Sequence, residues 1–203
     1  MWDQVWDEIF TANEWGKYPP EELIRFVARN YYQAQDRSQV KFLEVGSGTG
    51  ANLWYLAREG FSVTGIDGSS VACQRAQERL SMEHLTGEFV TGDIVKLPFQ
   101  DRIFDCVIDQ ECIYANTYAD SKKIIKEIFR VLKPGGRFFM KTFMVGTTGG
   151  LRLNCGLIRL TSEQEIPDLC DGFIIESIDY SLRSEKNRAY EIKELIVIGR
   201  KPE

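Results

Sequence analysis

The sequence predicts an α/β protein: a doubly wound, mostly parallel seven-stranded sheet with a C-terminal antiparallel hairpin and lid-like helices at the N-terminus. Three observations carry this. From residue 40 onward, short apolar runs alternate with amphipathic helical segments, the pattern of a parallel sheet covered on both faces. The first run leads through Phe42-Leu43-Glu44-Val45 into Gly46-Ser47-Gly48-Thr49-Gly50 and then a helix-like segment. Strand, tight glycine turn and helix form the arrangement that binds nucleotide-like ligands at the carboxyl ends of parallel strands. Finally, the last two strand-like runs are joined by a polar connection too short for a crossover, so they must be antiparallel neighbours.

The elements follow in order. Trp2, Val5, Trp6, Ile9 and Phe10 recur at helical spacing among acidic residues, giving a short aromatic amphipathic helix. The turn Trp15-Gly16-Lys17-Tyr18-Pro19-Pro20 leads into a second helix, with Glu21 and Glu22 in its first turn and a stripe of Leu23, Ile24, Val27, Ala28 and Tyr31. Val40 to Val45 is the first strand; the helix after the glycine turn, Leu53 to Arg58, is closed by Gly60. Phe61 to Asp67 is the second strand, and Ser69 or Ser70 caps a helix with Ala72, Ala76 and Leu80 on one face. Glu88 to Thr91 is a short third strand ending in Gly92-Asp93-Ile94, and Ile103 to Asp109 is the fourth. A helix with Ile125, Ile128, Phe129 and Leu132 on one face is stopped by Lys133-Pro134-Gly135-Gly136 before the fifth strand, Arg137 to Phe143. A glycine-containing loop, Met144 to Leu160, precedes a short helix near Ser162 to Leu169 and the hairpin strands Phe173 to Leu182 and Tyr190 to Arg200. Loops of that length are usually functional. A single domain is expected over 1–203, with 1–38 as a helical cap and 39–203 as the ligand-binding core.

Composition narrows the function. The 203 residues carry 25 Lys+Arg against 30 Asp+Glu, a net charge of −5, which offers no electrostatic footprint for nucleic acid. No apolar run approaches a bilayer span and the start of the chain has no signal-peptide pattern, so neither a membrane nor export is expected and the cytoplasm is the expected compartment. Five cysteines without C-x-x-C spacing point to free thiols, neither a disulfide framework nor a zinc site, and no metal is expected. His84, the sole histidine, sits near a helix end and is read as a surface or capping residue.

The glycine turn fits two ligands. Gly46-x-Gly48-x-x-Ala51, with Asp67 following Gly46 by 21 residues, matches the dinucleotide fingerprint. A nicotinamide enzyme, however, ordinarily adds a substrate domain, for which little chain remains here. The alternative is S-adenosylmethionine (SAM). Leu43-Glu44-Val45-Gly46-Ser47-Gly48-Thr49-Gly50 resembles the first motif of class I SAM-dependent methyltransferases. The resemblance continues through Asp67, Gly92-Asp93-Ile94, Phe104-Asp105-Cys106-Val107-Ile108-Asp109 and Leu132-Lys133-Pro134-Gly135-Gly136-Arg137. It covers roughly residues 40 to 200, and several motifs in order are far more specific than any one alone.

The resemblance implies a cofactor site of Glu44, Gly46, Ser47, Gly48, Gly50, Asn52, Asp67, Gly68, Asp93, Ile94, Asp109 and Gln110. In it Asp67 binds the ribose hydroxyls, Asp93 the adenine amine, and Ile94 packs on the ring. Trp15, Lys17 and Tyr18 offer a stacking face, a cation and a hydroxyl that can touch cofactor or substrate. Methyl transfer from a sulfonium needs the nucleophile held in line, and an oxygen or nitrogen acceptor can also need a base. Above strands four and five, Glu111 is the candidate base and Tyr114 the candidate orienting residue. Lys17, Arg152 and Arg159 are candidates for binding an anionic acceptor. The expected activity is methyl transfer to O, N or S of a small-molecule acceptor by a monomer or homodimer. The rivals are a protein methyltransferase and a SAM-binding interaction module without catalysis.

Overall fold

The computed structural model describes residues 4–148, 158–185, 187 and 189–203. Trp2, Cys155 and Arg152 lie outside them. The elements are α1 (Val5–Ala12), α2 (Glu21–Tyr31), β1 (Lys41–Val45), α3 (Ala51–Arg58), β2 (Ser62–Asp67), α4 (Ser70–Ser81), β3 (Glu88–Thr91), β4 (Phe104–Gln110), α5 (Tyr118–Val131), β5 (Leu132–Phe143), α6 (Ile166–Leu169), β6 (Ile174–Glu185) and β7 (Tyr190–Arg200). The seven strands form one sheet in the order β3-β2-β1-β4-β5-β7-β6. β3 through β5 pair in parallel, and β7 runs antiparallel to both β5 and β6.

Alternation along each strand separates two cores. Leu43, Val45, Val107, Phe138, Met140, Leu195 and Val197 face α5 and α6, meeting Ile124, Ile125, Ile128 and Leu169. Their neighbours Phe42, Cys106, Ile108, Phe139 and Ile196 face the opposite layer, with Leu23, Phe26 and Val27 of α2 and Leu53 and Leu56 of α3. Helix α2 is therefore part of the sheet's covering layer, not a cap above the core. Its buried stripe is Leu23, Phe26 and Val27, while Ile24 faces solvent, one helical step off the stripe.

Two boundaries differ from the sequence expectation. The helix before β5 ends at Val131, and Leu132 already pairs with Phe104. Register then jumps to Cys106↔Arg137, so Lys133 to Gly136 bulges out of the strand instead of preceding it. Strand β6 runs on to Glu185, so the hairpin arms close at Glu185↔Tyr190 and the connecting turn is shorter than the expected 183–188.

The parallel strands order the site. β1 leads by α3 to β2 on one side, whereas β4 lies on the other side of β1. Their carboxyl ends part at this switch point, where open α/β sheets bind ligands. Helix α1 lies at the same edge, tied to α4: Arg75 donates to the carbonyls of Phe10, Asn13 and Thr11, and Ser69 Oγ donates to Asp7 at 2.5 Å.

Candidate cofactor and acceptor site

A cavity of about 420 Å³ opens above the carboxyl ends of β1, β2 and β4, within the range of small-molecule sites. Its floor is the β1–α3 turn. Gly46 and Gly48 have φ of +65° and +50°, a conformation that suits glycine. A Cβ on Gly46 would stand 2.1 Å from Cys112 Sγ, so that glycine also lets the β4 loop press against the turn. Gly50 does not line the cavity. Its φ of +75° starts α3, and a Cβ there would meet Ala76 at 2.8 Å, so it serves close packing of α3 on α4.

Asp67 ends β2 beside this floor. Its Oδ2 accepts Gly48 N–H and its Oδ1 accepts Ser69 N–H, both at 2.8 Å. Each oxygen keeps a further lone pair for a ligand hydroxyl. Burial raises its pKa, and the two backbone donors counter part of that rise. Gly68, Asp93 and Ile94 line the next wall. Asp93 is exposed, with Oδ1 taken by Val95 N–H at 3.0 Å, and Ile94 is buried beside it.

Glu44 is the most unusual group on the floor. It is 2% exposed, and Asn52 Nδ2 donates to its Oε1 at 2.6 Å while Oε2 is buried without a partner. Burial pushes its pKa up to about 8, opposed by the Asn52 bond and reinforced by Asp109 and Asp67. Ser47 Oγ and Gln110 Oε1, which belong to the same lining, are also buried and unpaired. Unmatched buried acceptors are costly, and three lining one cavity suit a ligand that brings donors.

Asp109 does not reach the cavity. It is fully buried beneath it, and its Oδ1 accepts the N–H groups of Cys112 and Ile113, both at 3.0 Å. Burial pushes its pKa up to about 7. It folds the loop that carries Gln110, Glu111 and Tyr114, so it acts on the site through that loop.

Glu111 and Tyr114 both line the cavity's far end. Glu111 has φ of +56°, rare for a residue with a side chain and frequent at functional sites. Its backbone N–H donates to Lys141 O at 2.9 Å, and Gln110 Nε2 donates to its carboxylate at 3.0 Å. Burial and then Glu194 push its pKa up to about 7, against Lys141 and Arg183. Tyr114 is 2% exposed and packs edge-on to Phe143. Trp6, Phe10, Trp15 and Tyr18 form the roof, with Phe10 against the Gly48 backbone and Trp15 edge-on to Phe10.

Of the expected anion-binding group, neither Lys17 nor Arg159 lines the cavity. The Lys17 carbonyl accepts from Arg79. Arg159 is paired with Glu165 at 3.0 Å and lies over the Tyr118 ring. Arg152 lies outside the described residues. Among the described residues, the cations that do reach the cavity are Lys141 and Arg183, neither of which was expected from the sequence. The signal lay in the strands: Lys141 interrupts the apolar run of β5, and Glu194 does the same in β7. A lysine and a glutamate inside buried strands call for each other.

Cys73, Cys106 and Cys170 are buried free thiols, Cys112 is partly buried, and no metal-holding cluster occurs among the described residues. His84 is exposed, at φ of +57° after α4. No helix among the described residues is long and apolar enough to cross a membrane.

A family model for a methyltransferase domain matches residues 43–140. A fatty-acid O-methyltransferase of Mycolicibacterium smegmatis is 35% identical over 123 residues, 58% of this chain and 43% of that protein. A sterol 24-C-methyltransferase of Gibberella zeae is 37% identical over 146 residues, 68% of this chain and 37% of that protein. The chain thus spans less than half the length of these curated relatives. A SAM-dependent methyltransferase of Methanosarcina mazei superposes with a TM-score of 0.70 at 24% identity, covering 87% of this chain and 97% of that one, a likeness of fold. The domain match over 43–140 spans the glycine turn, Asp67, Asp93 and the loop after β4, so the stretch that builds the cavity floor is a methyltransferase domain, set in a fold like that of SAM-dependent methyltransferases.

Proposed function

We propose that the protein transfers a methyl group from SAM to a small, largely apolar acceptor that arrives neutral and carries an O–H or N–H. The observation that carries the donor half is the set of unpaired acceptors, Glu44 Oε2, Ser47 Oγ and Gln110 Oε1, lining one cavity with Asp67. SAM has an ammonium group, a sulfonium and a ribose diol, and these match that set. Asp67 would hold the diol, Asp93 the adenine amine with Ile94 against the ring, and Glu44 and Gln110 the ammonium end. Bound there, SAM supplies an activated methyl whose carbon–sulfur bond pair leaves with the sulfur.

The acceptor half rests on what lines the rest of the cavity. Trp6, Phe10, Trp15, Tyr114 and Phe143 give an aromatic surface suited to apolar molecules. The fatty-acid and sterol enzymes named above act on such molecules, which supports the same class here. Lys141 and Arg183 are each already paired with Glu194, at 3.2 and 3.4 Å, so an anionic acceptor gains little there. Glu111 accepts the acceptor's proton as its lone pair attacks, and Tyr114 orients it. Accepting a thiol or carbon nucleophile would place other demands on the same base. The net charge of −5 supports an acceptor other than nucleic acid, and the free buried thiols support a reducing, cytoplasmic compartment. We take the acting unit to be a monomer or homodimer.

Calorimetry with SAM and S-adenosylhomocysteine tests the donor. Asp67→Ala should weaken binding by about 1.5–3 kcal/mol, the loss of a charged hydrogen bond. Absence of binding to both ligands by the wild-type protein would sink the proposal. An acceptor screen with methyl-labelled SAM then identifies the second substrate.

A further inference from the structure

At the acceptor end, one buried carboxyl does not touch the cavity yet stands behind the residue that does. Glu194 of β7 is fully buried and not part of the cavity wall. Its Oε2 faces Lys141 Nζ at 3.2 Å and its Oε1 faces Arg183 at 3.4 Å, but neither oxygen receives a well-directed hydrogen bond among the described residues. Lys141 also meets Glu22 of α2 at 3.8 Å. Glu111 joins the group just after β4: its backbone N–H donates to Lys141 O at 2.9 Å, and Glu194 is among the charges that raise its pKa. Three carboxyls and two cations therefore face one another across β4, β5, β6, β7 and α2. With every group charged, the cluster carries one surplus negative charge around the buried Glu194 and Lys141, while Arg183 and Glu22 are partly exposed.

We infer that Glu194 is a positioning residue for the transfer: with Lys141 and Arg183, it decides whether Glu111 can act as a base. This rests on the methyl-transfer reading for its purpose, but the charged cluster exists without any ligand. Glu111, with its left-handed backbone, lines the cavity beside Lys141 and Arg183. Glu194 keeps Glu111 from being an ordinary, weakly basic glutamate, so that it holds an acceptor proton near neutrality. In the step, the acceptor's O–H or N–H proton goes to Glu111, and the freed lone pair forms the new bond to the methyl carbon. The departing bond pair stays with sulfur, leaving a neutral thioether. Glu111 must be ionised before the proton arrives and is protonated after it.

The test is a carbon-13 NMR titration of protein labelled at the glutamate side-chain carboxyl carbons, with Glu111→Gln used to assign the Glu111 signal. Wild-type Glu111 should titrate near 7. In Glu194→Gln it should titrate at lower pH, with proton affinity reduced at least tenfold, because a like charge is gone while Lys141 and Arg183 remain. Arg183→Gln, at a half-exposed position less prone to disturb folding, should move the signal the opposite way. S-adenosylhomocysteine affinity should stay within twofold in Glu194→Gln. A Glu111 midpoint unmoved by both substitutions would overturn the inference. Failure of the wild type to bind S-adenosylhomocysteine would instead remove the donor assignment and leave the titration result standing.

Discussion

Replacing Glu44 by glutamine isolates the electrostatics of the cavity floor. In the folded chain Glu44 holds its proton up to about pH 8, against an ordinary value of 4.5, because burial penalises its charge. A raised folded-state pKa means that the folded chain binds more protons than the unfolded one between those two values. Its stabilising share is complete below the ordinary value and is lost as pH rises through the folded value. At about 1.4 kcal/mol per pH unit, the loss between about pH 5 and about pH 9 comes to roughly 4 kcal/mol. Glutamine keeps the shape and an oxygen for Asn52 but cannot ionise. Urea unfolding across this range should show wild-type stability falling steeply and Glu44→Gln falling less, with the two nearly equal at the acid end. Asp109 and Glu111 titrate in both proteins, so the comparison isolates Glu44. SAM affinity should rise with pH more steeply in the wild type, since a cationic ligand favours the ionised carboxylate. Parallel stability curves would refute the argument, for they would mean that Glu44 is already charged in the unliganded fold.

The remaining predictions concern the base, the turn and the roof. Glu111→Gln should lower kcat by roughly 10²- to 10⁴-fold while leaving S-adenosylhomocysteine affinity nearly intact, as measured with the acceptor found by screening. The wild-type rate should climb with pH through about 7 as Glu111 ionises, and a pH-independent rate would exclude a base there. Gly46→Ala combines a left-handed backbone with a clash against Cys112, and urea melts should show a loss of roughly 2 to 5 kcal/mol. Arg75→Ala removes the donors that hold the carbonyl end of α1, so limited proteolysis between α1 and α2 should accelerate several-fold or more.

The legible part of the molecule was the part whose chemistry is local. The glycine turn, Asp67 at the end of β2, Asp93 after β3 and the terminal hairpin are each written in a few adjacent residues, and all lie where the motifs put them. Non-local facts were not legible. That Gly50 packs against Ala76, not a ligand, depends on how α3 crosses α4. That Asp109 folds a loop from below follows from the backbone of Cys112 and Ile113 turning back over it. Lys17 and Arg159 were plausible as anion binders from position alone, but neither lines the cavity, and Arg159 is paired with Glu165. The cluster of Glu111, Lys141, Arg183 and Glu194 draws on three strands and the loop after β4, so no window of sequence displays it. Only the misplaced polarity of Lys141 and Glu194 within apolar strands hinted at it.

Around one cavity stand Glu44, Asp67 and Glu111, with Asp109 just below, and burial raises the pKa of all four. An arrangement chosen for stability alone would avoid this, since each buried carboxyl weakens the fold as the pH rises. The pattern makes sense if the missing positive charge comes with the ligand. A donor carrying a sulfonium and an ammonium compensates buried carboxylates whose charge the fold penalises, so binding and ionisation reinforce each other. After transfer the sulfur is neutral, and one of the two charges that held the ligand in place is gone. The cavity should therefore release the product more readily than it releases the donor, and by more at pH above about 8, where Glu44 is ionised, than below it.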